Sequence, residues 1–94
     1  MPIWNPKEAA IHLTRNVSVQ GRRTSMRLEQ PFWDAFEEIV RREGISMNAL
    51  VTRVWAASPD DVNLAGAIRV FVLGYFWALA NGGRPRVPPG STKP

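Results

Sequence analysis

Arg23, Ser25 and Arg27 recur at a spacing of two, which on an extended chain places two guanidinium groups and a hydroxyl on one side. Thr24, Met26 and Leu28 then fall on the opposite, mostly apolar side. No acid interrupts residues 15–28, which hold Arg15, Arg22, Arg23 and Arg27. Such a row of cationic donors suits the major groove of DNA, which admits a two-stranded ribbon and presents guanine O6 and N7 to an arginine fork. Seven residues carry little information, and a half-buried strand whose polar face meets water accounts for the alternation equally well.

Other chemistry finds little support. His12 is the only histidine and the chain has no cysteine, so a metal site lacks ligands and a packing or surface role is favoured. Asp60-Asp61 reads as a capping loop before it reads as a cation site. Glu37 and Glu38 are neighbours, which on a helix point in different directions and make no paired-carboxylate site. No nucleophile–base arrangement, P-loop or dinucleotide fingerprint is present. Trp4, Trp33, Trp55 and Trp77, with Tyr75 and Phe76, serve packing better than base stacking. The reading is of a non-enzyme without cofactor or metal.

Twelve Lys and Arg against eight Asp and Glu leave a formal charge of +4, which favours a polyanionic partner. The excess is local. Glu29, Asp34, Glu37, Glu38 and Glu43 outnumber Arg41 and Arg42 over residues 29–43, so the basic balance belongs to the arginine stretch and the tails. The start of the chain lacks a basic-then-apolar secretory pattern. The most hydrophobic run, residues 70–80, falls short of the ~20 residues that cross a bilayer. A soluble protein is expected, cytoplasmic and nucleoid-associated if DNA is its partner.

Ninety-four residues suit a single domain with a modest core. We divide them into an arm (1–21), a folded unit (22–80) and a flexible basic Pro/Gly tail (81–94). A short helix over residues 5–13 has Asn5 as N-cap and Pro6 at its first position. Val17 and Val19 alternate with polar residues, and Gln20-Gly21 offers a hairpin turn. It is a weaker signal than Asn-Gly, so a simple extended arm ranks above a hairpin. After the strand, a helix over residues 31–43 carries Phe32, Phe36, Ile39 and Val40 as its stripe, widened by Trp33. Its expected i,i+4 pairs are Glu37–Arg41 and Glu38–Arg42, and Gly44 ends it. Ser46 caps a second helix whose apolar face is Leu50, Val51, Val54 and Trp55. A third helix starts after Asp61 or Asn63 and continues to about Ala80. It is apolar nearly all round from residue 70, so its own chain or another must enclose it.

One strand in a mostly α chain leaves unpaired N–H and C=O groups, and the expected remedy is the same strand from a second copy. Met26 and Leu28 would then cover a core of Phe32, Phe36, Ile39, Leu50 and Val54 shared by a homodimer. Residues 22–55 also resemble the ribbon-helix-helix DNA-binding family of the Arc and MetJ type. The resemblance is carried by Arg-Thr-Ser-Met-Arg-Leu-Glu at 23–29, Phe32-Trp33, and Gly-Ile-Ser-Met-Asn-Ala-Leu-Val at 44–51. Asn63-Leu64 and the run 67–73 are similar to a bacterial subgroup with an additional C-terminal helix. The resemblance implies a β-α-α unit plus extra helix, in an intertwined homodimer whose two-stranded antiparallel ribbon lies between subunits. It also implies base contacts from Arg23, Ser25 and Arg27, a phosphate clamp from Gly44, Ser46, Met47 and Asn48, and a shared dimer core at Leu28, Phe32, Ile39 and Leu50; Arg22 joins the expected phosphate contacts.

The expected function is sequence-specific binding of double-stranded DNA by a bacterial or phage transcriptional regulator, in the first instance a repressor. The alternative is a protein-interaction module, an antitoxin or assembly adaptor, working through the last helix. There Phe71, Leu73, Phe76 and Trp77 would contact a protein partner or build a higher oligomer.

Overall fold

The computed structural model describes Lys7 and residues 11–90. Two strands, β1 (His12–Val19) and β2 (Arg22–Glu29), are followed by helices α1 (Gln30–Glu43), α2 (Met47–Ala56) and α3 (Leu64–Ala80). The expected helix over residues 5–13 falls largely outside the described residues, and its last two positions, His12 and Leu13, open β1.

The sequence implies a single strand with its mate in a second copy. Here the chain supplies its own. β1 pairs antiparallel with β2 in the register Val19↔Arg22 to His12↔Glu29. Gln20 and Gly21 close the hairpin with φ of 52° and 82°, the two positive values of a type I′ turn. A left-handed glutamine is unfavourable. It is offset by the ladder and by the Gln20 N–H, which donates to Thr52 Oγ1 of α2 at 3.1 Å. Arg15 obscures the alternation in β1, because it sits on the inward face with Leu13, Val17 and Val19. Its guanidinium lies 4.6 Å from the Trp33 ring centre and 2.5 Å from Glu37, so the cation is satisfied at the core's edge rather than expelled from it.

α1 follows β2 without a loop. Pro31 occupies its first turn, and Gly44, at φ 68°, ends it with an N–H donated to Val40 O. Trp33, expected at the flank of the stripe, is its centre: the ring is fully buried and its N–H donates to Leu13 O at 2.9 Å. Phe32 and Val40 are only half-buried. Glu38 takes both Arg41 and Arg42, because Glu37 is drawn away to Arg15.

α2 has Ser46 as N-cap, accepting from Ala49 N at 3.1 Å, and α3 has Asn63, accepting from Gly66 N at 2.6 Å. The core lies between the inward face of the hairpin and the three helices. Met26, Leu28, Phe36, Ile39, Leu50, Val51 and Ile68 are shut from solvent within one chain. Phe71 and Tyr75 of α3 pack inward, Phe71 edge-on to Phe36 at 6.4 Å. Tyr75 donates its hydroxyl to Glu43 at 2.6 Å, and burial together with that carboxylate pushes its pKa up to about 12. Residues 82–90, expected as a flexible tail, lie back over the helices: Val87 packs on the core and Pro88 sits in an apolar hollow beside Val54 and Phe71.

Candidate nucleic-acid interface

The register of the hairpin decides which side chains share a face. Direct partners in an antiparallel pair lie on the same side. The inward side therefore holds Leu13–Leu28, Arg15–Met26, Val17–Thr24 and Val19–Arg22. The outward side holds His12–Glu29, Thr14–Arg27, Asn16–Ser25 and Ser18–Arg23. Every outward residue is polar, and all are exposed except the half-buried Ser18 and Glu29. Arg23, Ser25 and Arg27 thus fall on one face, as their spacing implies. Thr14, Asn16 and Ser18 join them from β1. These three are absent from the residues expected from sequence, although their alternation with Leu13, Val17 and Val19 is a signal for them.

Electrostatics separate these arginines from most others. Arg15, Arg41, Arg42 and Arg69 are each bound to a carboxylate. Arg22, Arg23 and Arg27 have no such partner among the described residues. At the far end of the ribbon Glu29 faces His12 at 3.4 Å and Arg69 at 2.8 Å. The hydrogen bond from Arg69 holds the Glu29 carboxyl below its usual range against a partial desolvation. The one acid on the outward face is in this way neutralised by a helix behind it. In the middle, Ser25 Oγ donates to Asn16 Oδ1 at 3.2 Å, which leaves the Asn16 amide hydrogens turned to solvent.

The start of α2 flanks the ribbon on the β1 side. Ser18 N–H donates to Asn48 Oδ1 at 2.9 Å, and Thr52 lies next to Ser18 and Gln20. The strand edge is thereby capped by side chains where a further strand would otherwise pair. Met47 and Asn48 lie in the first turn of α2, where backbone N–H groups have no helical acceptor and attract anions. Ser46 keeps a hydroxyl hydrogen to donate, whereas the Gly44 N–H is spent on Val40, so that glycine serves the turn alone. Arg22 stands at the hairpin end, on the inward side but exposed.

The expected dimer-core residues Met26, Leu28, Phe36, Ile39, Leu50 and Val54 are all buried inside the single chain, with Phe32 half-buried at its edge. Of the expected docking residues on α3, Leu73 and Trp77 are exposed, while Phe71 and Phe76 are half-buried against its own packing. Val70, not among those expected, stands with the exposed pair. No group of residues suited to hold a metal occurs among the described residues, nor is any described helix long and apolar enough to cross a membrane.

Comparison with known proteins agrees with this architecture. The family model of the ribbon-helix-helix domain matches residues 12–76, so the match takes in β1 as well as β2. Among solved structures, the chain is similar to an uncharacterized protein from Bordetella pertussis Tohama I. The identity is 30%, the TM-score 0.67, and 81% of this chain is covered. It spans 64% of that protein's length. A search of curated proteins finds no match. With a polar antiparallel ribbon, two helices joined through Gly44, and a family match over most of its length, the chain belongs to the ribbon-helix-helix domain family, a family of DNA-binding regulators.

Proposed function

We propose that this protein binds double-stranded DNA sequence-specifically and acts as a bacterial or phage transcriptional regulator, inserting the outward face of the β1–β2 hairpin into the major groove. The observation that carries this reading is the pair of exposed arginines, Arg23 and Arg27, on a ribbon face without any apolar side chain. Each guanidinium suits the O6 and N7 acceptors of a guanine, and the Asn16 amide suits adenine. Ser25 and Ser18 are too short to discriminate strongly and hold the spacing. Arg22, the Ser46 hydroxyl and the first amides of α2 at Met47 and Asn48 meet phosphates beside the groove and set the register.

The reading unit is the hairpin of one chain. Two hairpins joined edge to edge would span roughly 14 Å between outer strands, against a groove ~12 Å wide. Two chains acting as a homodimer would therefore place two ribbons on two half-sites.

Selection from random duplexes with the purified full chain tests this. Enrichment of a short motif containing guanines supports it, with log affinity falling by ~0.9 per neutralised phosphate for each unit of log salt. Failure to retain any duplex at low salt, or retention without sequence preference, overturns it.

A further inference from the structure

Arg15, Arg53 and Arg69 are the half-buried arginines among the described residues. Arg15 is bound to Glu37 and Arg69 to Glu29. Arg53, on α2, has neither a carboxylate nor a hydrogen-bond acceptor among the described residues. A cation that has given up part of its water without gaining a counter-ion calls for one from outside. We propose that Arg53 binds a phosphate of the DNA backbone, as a contact separate from those at the start of α2. This inference rests on the ribbon's reading of DNA and adds a contact to it.

The surroundings of Arg53 are those of an anion site. It lines a groove of about 390 Å³ with Ser18, Gly21, Asn48, Thr52 and Gly90, and no acid is among them. Two of the groove's side-chain oxygens are already engaged. Asn48 Oδ1 takes the Ser18 N–H at 2.9 Å, and Thr52 Oγ1 takes the Gln20 N–H at 3.1 Å. The amide hydrogens of Asn48 and the guanidinium of Arg53 remain as free donors. Ser18 belongs to the outward ribbon face and Asn48 to the first turn of α2. A ribbon seated in the major groove therefore brings the bordering backbone across the mouth of this groove. Arg53 stands five residues beyond Asn48, an axial rise of about 7.5 Å. A phosphate held by the first amides of α2 leaves it free, and the next one along the strand falls to its guanidinium fork.

The end of the chain accounts for the half-burial. Gly82, at φ 75°, turns the backbone out of α3, and the Gly83 N–H donates to Ala78 O at 2.8 Å. Val87 then packs on the core and Pro88 enters the hollow beside Val54. Gly90 is thereby laid across Arg53: a Cβ on Gly90 would stand 3.4 Å from Arg53 Nε and Nη2. The side chain is confined before DNA arrives, which lowers the ordering cost of the contact.

Titration of a selected duplex with the full chain over a range of salt tests this. Two variants accompany the wild type: Arg53→Met, which keeps the apolar stem, and Arg53→Lys, which keeps the charge. Arg53→Met should flatten the slope of log affinity against log salt by about 0.9 per bound chain, and weaken binding roughly tenfold at about 0.1 M salt. Arg53→Lys should restore most of the slope. The selected motif should be the same for all three, because a phosphate contact carries no sequence information. A slope unchanged in Arg53→Met, whether or not its melting temperature falls, gives Arg53 a structural role alone and overturns this inference while the ribbon reading stands. Tighter binding by Arg53→Met, or an altered motif, overturns it too. A wild type that retains no duplex overturns both readings.

Discussion

The backbone N–H of Ser18 donates to the side chain of Asn48 at 2.9 Å, joining the hairpin to the start of α2 across 30 residues of sequence. The contact ties the outward face of the ribbon to the helix whose first amides flank it. With Thr52 receiving Gln20 N–H, it fixes how far the hairpin tip stands from α2. Asn48→Ala should remove about 1 kcal/mol of stability, water replacing part of the lost bond. Hydrogen exchange should quicken at Ser18 and Gln20 while amides in α1 and α3 stay protected; uniform exchange across the chain would show that the contact does not anchor the hairpin locally.

Arg23→Ala and Arg27→Ala should each weaken binding to a selected duplex by roughly 1–3 kcal/mol. Both side chains are exposed and without carboxylate partners among the described residues, so melting temperatures should change little. Arg15→Ala makes the contrast, since Arg15 lies over Trp33 and binds Glu37: its loss should lower the melting temperature first. Titration and thermal melts of the three variants side by side read both effects.

The turn offers a gain. Gln20 holds φ 52° beside Gly21 at 82°, positions that asparagine and glycine accept most readily. Gln20→Asn should raise stability by a few tenths of a kcal/mol, and Gly21→Ala should lower it by about 1 kcal/mol through the strained backbone. Denaturant midpoints decide.

Glu29 and Tyr75 couple stability to pH. Glu29 titrates below its usual range in the folded state because Arg69 hydrogen-bonds to it. Its contribution is complete above the unfolded value and is lost as pH falls through the folded one, so acid should weaken the wild type more than Glu29→Gln. Tyr75 is raised from 10.0 to about 12, so its contribution is complete below pH 10. It declines as pH rises toward 12, by an amount on the order of 2–3 kcal/mol. Tyr75 is the only tyrosine, and its phenolate absorbance should appear near the upper value in the folded chain.

The helical half of the fold is legible in the sequence because each boundary is set by a local rule. Gly44 stops α1, Ser46 and Asn63 cap α2 and α3, and each residue does what its type does best. β1 is hard to read for a reason that is not local. Arg15 stands where an apolar residue would complete the alternation, and only Trp33 and Glu37, far along the sequence, make that position habitable. With β1 goes half of the ribbon's outward face, Thr14, Asn16 and Ser18. The same limit applies to α3: its excess of apolar residues is evident, but which of them turn inward depends on Phe36 and Glu43. Phe71, expected outside, therefore packs within, and Val70 takes the exposed place.

The hairpin has a consequence for mixtures of variants in one cell. Because β1 is tethered to β2 by two residues, dilution does not separate these two strands, and each copy carries both strands of its own hairpin. A lesion in either strand should therefore mark the hairpin of the copy that carries it.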